Sequence, residues 1–191
     1  MAIDRSDDVA LVRAAQRGDR DAFGALVALH GPAVLSVTTR MLGQGGEAED
    51  VAQEAFVAAY RGLAKFQFEA KFSTWLYRIA VNKCTDALRA RRTSTVSLDA
   101  HDDETDGWEP ADDETPHFEL EQSELAGALD QALAALPAIY REAFVLKHVE
   151  GLGYDEMSAV LGVQRDTLKM RVYKARTKLC HALSHLQGAY R

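Results

Sequence analysis

No lysine or arginine occurs between Arg92 and Arg141, and thirteen of the chain's 29 acidic residues crowd into that gap. Its first part, 93–122, is built from Thr, Ser, Asp, Glu and Pro with few large apolar residues, so it buries too little surface to offset the entropy of ordering it. It reads as a flexible acidic linker, and any fold has to be found in the two flanking pieces. The gap also changes what the net charge of -7 means. Outside it, 22 basic residues stand against 16 acidic ones, so an acidic chain is in fact two basic modules with an acidic insert.

Both modules read as helical, because apolar residues recur at steps of three and four and nothing alternates at the strand period of two. In residues 1–92 one helix is expected over Asp8–Arg17 and a second from Asp21. A third follows Pro32, carrying Val34, Leu35, Val37 and Met41 up to the Gly43-Gln44-Gly45-Gly46 break. A fourth runs from Glu47 to Gly62 and a fifth from Phe72 to Arg92. Helices resume at Ser123, with breaks at Leu136-Pro137, Gly151-Leu152-Gly153 and Gly162-Val163-Gln164. The expected fold is all-α: two small helical domains, 1–92 and 123–191, joined by the linker.

The C-terminal module has the layout of a helix-turn-helix. A short helix over Asp155–Leu161 precedes a Gly162 turn and a long helix reaching Leu186, with Gly153 at the N-cap and Asp155 and Glu156 in the first turn. On the long helix Leu168, Val172, Ala175 and Leu179 form a core stripe. The remaining surface holds Arg165, Lys169, Arg171, Lys174, Arg176 and Lys178 against a single acid, Asp166, the density that phosphate neutralisation and major-groove docking need. Arg165, Lys169 and Tyr173 are expected on the groove side, with Arg176 and Lys178 on phosphates. A solvated basic face is the bland alternative.

The fifth helix of the N-terminal module has an apolar side of Leu76, Tyr77, Ala80, Val81, Cys84, Ala87 and Leu88. Opposite stand Trp75, Arg78, Asn82 and Arg89, a stripe able to stack a base, hold a phosphate and bond a base edge. A core Trp75 and a merely solvated Arg78 are the competing interpretation. The fourth helix sets Glu47, Asp50 and Glu54 against an apolar side of Val51, Ala55 and Ala59. That acidic face suits a basic protein surface rather than DNA.

The fragments EDVAQEAFVAAYRGLAKF, FSTWLYRIAVNKCTDALRARR, ALAALPAIYREAFVLKHVEGLGYDEMSAVLGV and TLKMRVYKAR resemble, in order and spacing, the extracytoplasmic-function sigma factors, the compact two-domain branch of the bacterial sigma-70 family. The resemblance implies that 1–92 binds the clamp helices of core RNA polymerase and melts the promoter -10 element. It implies that 123–191 reads the -35 element and meets the polymerase flap. Glu47, Asp50, Gln53 and Glu54 would then contact polymerase. Lys65, Phe66, Gln67, Phe68, Lys71, Trp75, Arg78, Asn82 and Arg89 would handle the -10 strand, the loop from Phe66 to Lys71 forming a pocket for a flipped-out base. Arg165, Lys169, Met170, Arg171, Tyr173, Lys174 and Arg176 would serve the -35 element. The chain departs from the family's pattern at Gln67-Phe68, Asp166 and Met170. An anti-sigma factor is a further expected partner, and the linker would thread the polymerase channel and screen the basic face of 165–178 in the free protein.

Such a chain is not an enzyme, and it lacks the GxxxxGK[ST] and HExxH motifs. No cofactor or metal is expected. Cys84 and Cys180 read as small core residues, while Cys180, His181 and His185 offer a weaker, metal-responsive alternative. A stand-alone helix-turn-helix regulator is the other rival. No run approaches about 18 apolar residues, and MAIDRSDDVALV lacks the order of a signal peptide, so membrane insertion is not expected and a cytoplasmic location is.

Overall fold

The computed structural model describes residues 5–94 and 122–187, with side chains described over 8–91 and 127–184. Most of the acidic linker, and the side chain of His185, lie outside them. All regular elements among the described residues are helical.

The N-terminal unit comprises α1 (Arg5–Gln16), α2 (Arg20–Leu42), α3 (Gly46–Gly62) and α4 (Phe72–Ser94), with a single 3-10 turn at Leu63–Lys65. Asp19 caps α2, its Oδ1 accepting from the amides of Asp21 and Ala22 at 3.0 Å each, a contact worth about 1 kcal/mol. The expected break at Pro32 is absent: α2 continues through it as one 23-residue helix. Proline there withdraws one hydrogen bond, but the clash it imposes on the preceding residue falls on Gly31, which has no Cβ. Packing against α1, α3 and α4 covers the remaining cost.

The sequence expectation that nothing approaches a membrane span also needs correcting. By length and composition α2 is long and apolar enough, with a window of mean hydropathy 1.5. Its apolarity serves the interior, since Ala22, Leu26, Val34, Val37, Met41 and Leu42 are all buried within the protein.

The C-terminal unit comprises α5 (Gln122–Ala135), α6 (Ala138–Phe144), α7 (Tyr154–Leu161) and α8 (Arg165–Gln187). Between α6 and α7 lies a π-helical turn, Val145–Val149, in which the Glu150 amide donates to the Val145 carbonyl at 3.1 Å. Periodicity gave no warning of it, because a single widened turn leaves the apolar spacing almost intact.

Each unit has a core of its own. Val12, Leu26, Val34, Ala55, Phe72, Leu76 and Ala80 lie in the N-terminal one, and Leu133, Leu136, Ala175 and Leu179 in the C-terminal one. A third cluster belongs to both. Val37, Met41, Leu42, Ala48, Val51, Val81 and Cys84 of the first unit pack with Ala143, Val145, Leu146, Leu152, Met157, Val160, Leu168 and Val172 of the second. The apolar side of α4 is therefore two surfaces: Leu76 and Ala80 face their own core, whereas Tyr77, Val81, Cys84 and Leu88, spaced 4, 3 and 4 apart, face the shared one, where α4 meets α7.

Candidate polymerase and nucleic-acid interfaces

The two faces of α3 separate as its spacing predicts. Val51, Ala55 and Ala59 are buried, while Glu47, Asp50, Gln53 and Glu54 are exposed. Two of the acids are held by α4: Arg91 donates through Nε to both Glu47 carboxylate oxygens at 3.1 and 3.0 Å, and Lys83 reaches Glu54 at 2.9 Å. Asp50, Gln53, Glu54, Val57, Ala58, Arg61 and Lys83 line an open groove of about 450 Å³. Val57 and Tyr60 stand 49% and 46% exposed on the same helix. The sequence reading stopped at the carboxylates and missed this apolar continuation, although Val57 is three residues from Glu54 and so on the same face.

Between α3 and α4 the chain makes a tight loop around an aromatic cluster. Phe66 is buried; its ring centroid lies 5.0 Å from Phe68, 6.1 Å from Phe72 and 5.1 Å from Trp75. Gln67 and Lys65 are exposed. Phe68 has a φ of 61°, a left-handed conformation that non-glycine residues adopt at a cost of order 1 kcal/mol. Phe66 and the stretch from Phe68 to Phe72 form one wall of a cavity of about 520 Å³, whose other walls come from α1, His30, the start of α4, Glu150 to Leu152 and Glu156 of the second unit.

On α4, Arg78, Asn82 and Arg89 are exposed as expected. Trp75 is not. Its indole is half-buried in the aromatic cluster, so close to Gly62 that a Cβ there would meet Cζ2 at 3.2 Å. A step of three residues cannot distinguish an exposed stripe from the flank of a core, and the neighbouring rings decided for the core.

The helix-turn-helix follows its expected course. The Gly153 amide donates to Glu156 at 3.1 Å, and Gly162 ends α7 in the left-handed conformation at φ 68°. Leu168, Val172, Ala175 and Leu179 are buried. Arg165 is exposed, its Nη1 3.4 Å from Asp155, and Lys169 lies 3.3 Å from Asp166. Met170, Tyr173, Lys174 and Arg176 are half-buried. Arg171 turns back to its own unit, 3.3 Å from the buried Glu142. Burial pushes the Glu142 carboxyl up to about 7, outweighing the opposing pull of Arg171 and Arg89. Cys84 is buried as expected; Cys180 is exposed, contrary to the core role expected of it. His181 is exposed too.

Residues 26–94 match the sigma-70 region 2 model and residues 126–179 the sigma-70 region 4 model. The chain is 36% identical to the RNA polymerase sigma-H factor of Pseudomonas aeruginosa, over 95% of its own length and 96% of that protein. The chain belongs to the extracytoplasmic-function branch of the sigma-70 family. The ECF RNA polymerase sigma factor SigW of Bacillus subtilis is 35% identical over 92% of this chain and 96% of that one. Among solved structures, CnrH in complex with the cytosolic domain of CnrY superposes with a TM-score of 0.67 at 31% identity, covering 97% of this chain and 99% of the other. As a sigma factor it directs RNA polymerase and catalyses nothing itself.

In this sigma factor α1 precedes the stretch that matches region 2, and polar contacts bind region 2 to region 4 around the shared cluster. Arg141, 8% exposed on α6, sends Nη1 to the Met41 carbonyl near the end of α2, and Nη2 to the carbonyls of Ala134 at 2.5 Å and Leu136 at 2.8 Å at the end of α5. A cation thus closes two helix C-termini, one from each region, where backbone acceptors and the dipole favour it. Asp130 accepts from Arg40 at 3.1 Å and Gln44 at 3.2 Å. The Tyr77 hydroxyl donates to Glu150 at 2.6 Å, and Lys71, in the aromatic loop, is ion-paired with Glu156 of α7. None of these cross-region contacts was expected from the sequence.

Proposed function

We propose that residues 1–92 seat this sigma factor on core RNA polymerase and open the -10 element, and that residues 123–191 read the -35 element. The polymerase clamp docks on the α3 face of Glu47, Asp50, Gln53 and Glu54. The loop from Lys65 to Lys71 receives a flipped base, with Arg78, Asn82 and Arg89 of α4 along the strand. Trp75 shapes that loop from behind. Arg165, Lys169, Met170, Tyr173, Lys174 and Arg176 meet the -35 duplex. Binding energy from base capture offsets the few kcal/mol, as an order of magnitude, that unstacking costs.

The observation that carries this reading is the α3 face, where exposed Glu47, Asp50 and Glu54 run into a groove with exposed Val57, beside Arg61 and Lys83, and Tyr60 is exposed on the same helix. It suits a partly apolar protein surface carrying basic groups, the kind of partner a sigma factor needs in order to act at all. Run-off transcription with core polymerase tests it: the wild-type chain should give a promoter-dependent transcript, and Asp50→Lys with Glu54→Lys should abolish it by preventing holoenzyme assembly. Tight duplex binding without polymerase, and no transcript with it, would overturn the proposal in favour of the stand-alone regulator.

Reading both promoter elements requires the two regions to part. The -10 and -35 elements are named for positions about 25 base pairs apart, or roughly 85 Å of duplex at 3.4 Å per pair, whereas α4 lies directly against α7. The packed arrangement is accordingly the resting form. A similar chain was solved with the cytosolic domain of CnrY, which supports an anti-sigma partner here, acting in the cytoplasm where the polymerase works.

A further inference from the structure

The loop assigned to base capture is held by a helix that lies outside the region 2 match. Gln16, on the last turn of α1, spends both hydrogens of its Nε2 on the loop's first turn, donating to the Leu63 and Phe66 carbonyls at 2.9 Å each. One turn earlier Arg13 lays its guanidinium over the Phe68 ring, 5.5 Å from the centroid. Phe68 is the residue in the left-handed conformation, which persists only where its surroundings over-determine it. Arg13 is itself exposed, and no carboxylate among the described residues pairs with it.

We infer that α1 is a working part of the -10 reader: Gln16 is a positioning residue that sets the shape of the capture loop, and Arg13 contacts a phosphate of the captured single strand. Resting on Phe68, the guanidinium stands beside the ring that a captured base would stack on, and a planar cation there meets the phosphate flanking that base. Gln16 acts through the loop. With both carbonyls pinned, the turn from Leu63 to Phe66 is fixed, and with it the setting of Phe68 in the loop. The inference rests on the loop being the capture site.

Holoenzyme made from the full chain is bound to forked DNA with a short randomised single-stranded non-template segment, and retained sequences are read at several salt concentrations. Gln16→Met keeps the side chain's length and removes both donors. It should lower base preference at the captured position by about ten-fold and leave the salt slope alone. Arg13→Gln should weaken binding evenly across sequences and reduce the salt slope by about 0.7, one single-strand phosphate. Arg13→Lys should restore the slope. If Gln16→Met lowers only the unfolding midpoint, or Arg13→Gln leaves the slope unchanged, while Phe68→Ala abolishes preference, the role of α1 is overturned and the capture loop stands. If Phe68→Ala also leaves the preference intact, the loop assignment fails and takes this inference with it.

Discussion

Arg141→Ala removes the cation that joins the ends of α2 and α5. A hydrogen bond to a charged group contributes about 1.5–3 kcal/mol net. The low end applies here, because burial lowers the guanidinium's pKa, Arg91 repels it and its buried Nε has no partner. Two of the three bonded carbonyls lie in region 4, so about 3 kcal/mol of the loss falls on that region's own stability. The bond to Met41 is the one that crosses, so the equilibrium for separating the regions should shift by about 1.5 kcal/mol, a little over ten-fold.

Thiol reactivity measures this directly. Cys180 is exposed and should supply the fast phase; Cys84 lies in the shared cluster, its thiol pushed up to about 12 by burial. If opening and closing are fast relative to modification, the slow phase tracks the open population. That phase should accelerate about ten-fold in Arg141→Ala with the fast phase unchanged. Retained helicity with a slow phase raised less than roughly two-fold would show that the Met41 contact does not hold the regions together.

Glu156→Gln should free Lys71 while keeping the cap on Gly153. The pair is 40% and 33% exposed, so its loss should raise the free protein's affinity for single-stranded DNA only about two- to five-fold, seen by titration at low salt and lost at high salt. Glu142 gives a pH signature. It ionises near its ordinary value of 4.5 when unfolded but keeps its proton to about 7 when folded, so the folded state binds more protons in that window and stability falls as pH rises through it. Burial raises Glu150 in the same sense. Glu142→Gln should accordingly shrink, without erasing, the drop in thermal midpoint between about pH 5 and pH 8.

Much of this was legible in the order of residues. The stripe of Leu168, Val172, Ala175 and Leu179, the Gly162 turn and the two faces of α3 follow from helical period and cap chemistry, which act within a few residues. What escaped depends on partners distant in sequence. Periodicity marks Tyr77, Val81 and Cys84 as apolar but cannot say that they meet another domain. Trp75 lost its exposed place to rings gathered by the loop fold. Nothing around Arg141 in the sequence marks it as the residue on which two helix ends converge. Gln16 reaches carbonyls 47 and 50 residues away, and no local pattern announces such a contact.

One helix serves two cores. Leu26 and Val34 of α2 pack in the N-terminal cluster, and Val37, Met41 and Leu42 in the shared one. When the regions part, the last turns of α2 lose the region 4 side of their cover and keep the α3 and α4 side, while the first turns lose nothing. Pro32 has no amide hydrogen to give, so the ladder of backbone bonds is already missing a rung about one turn before that crossing point. Parting the regions therefore acts on one half of a single helix, and the half that loses contacts is the one beyond the missing rung.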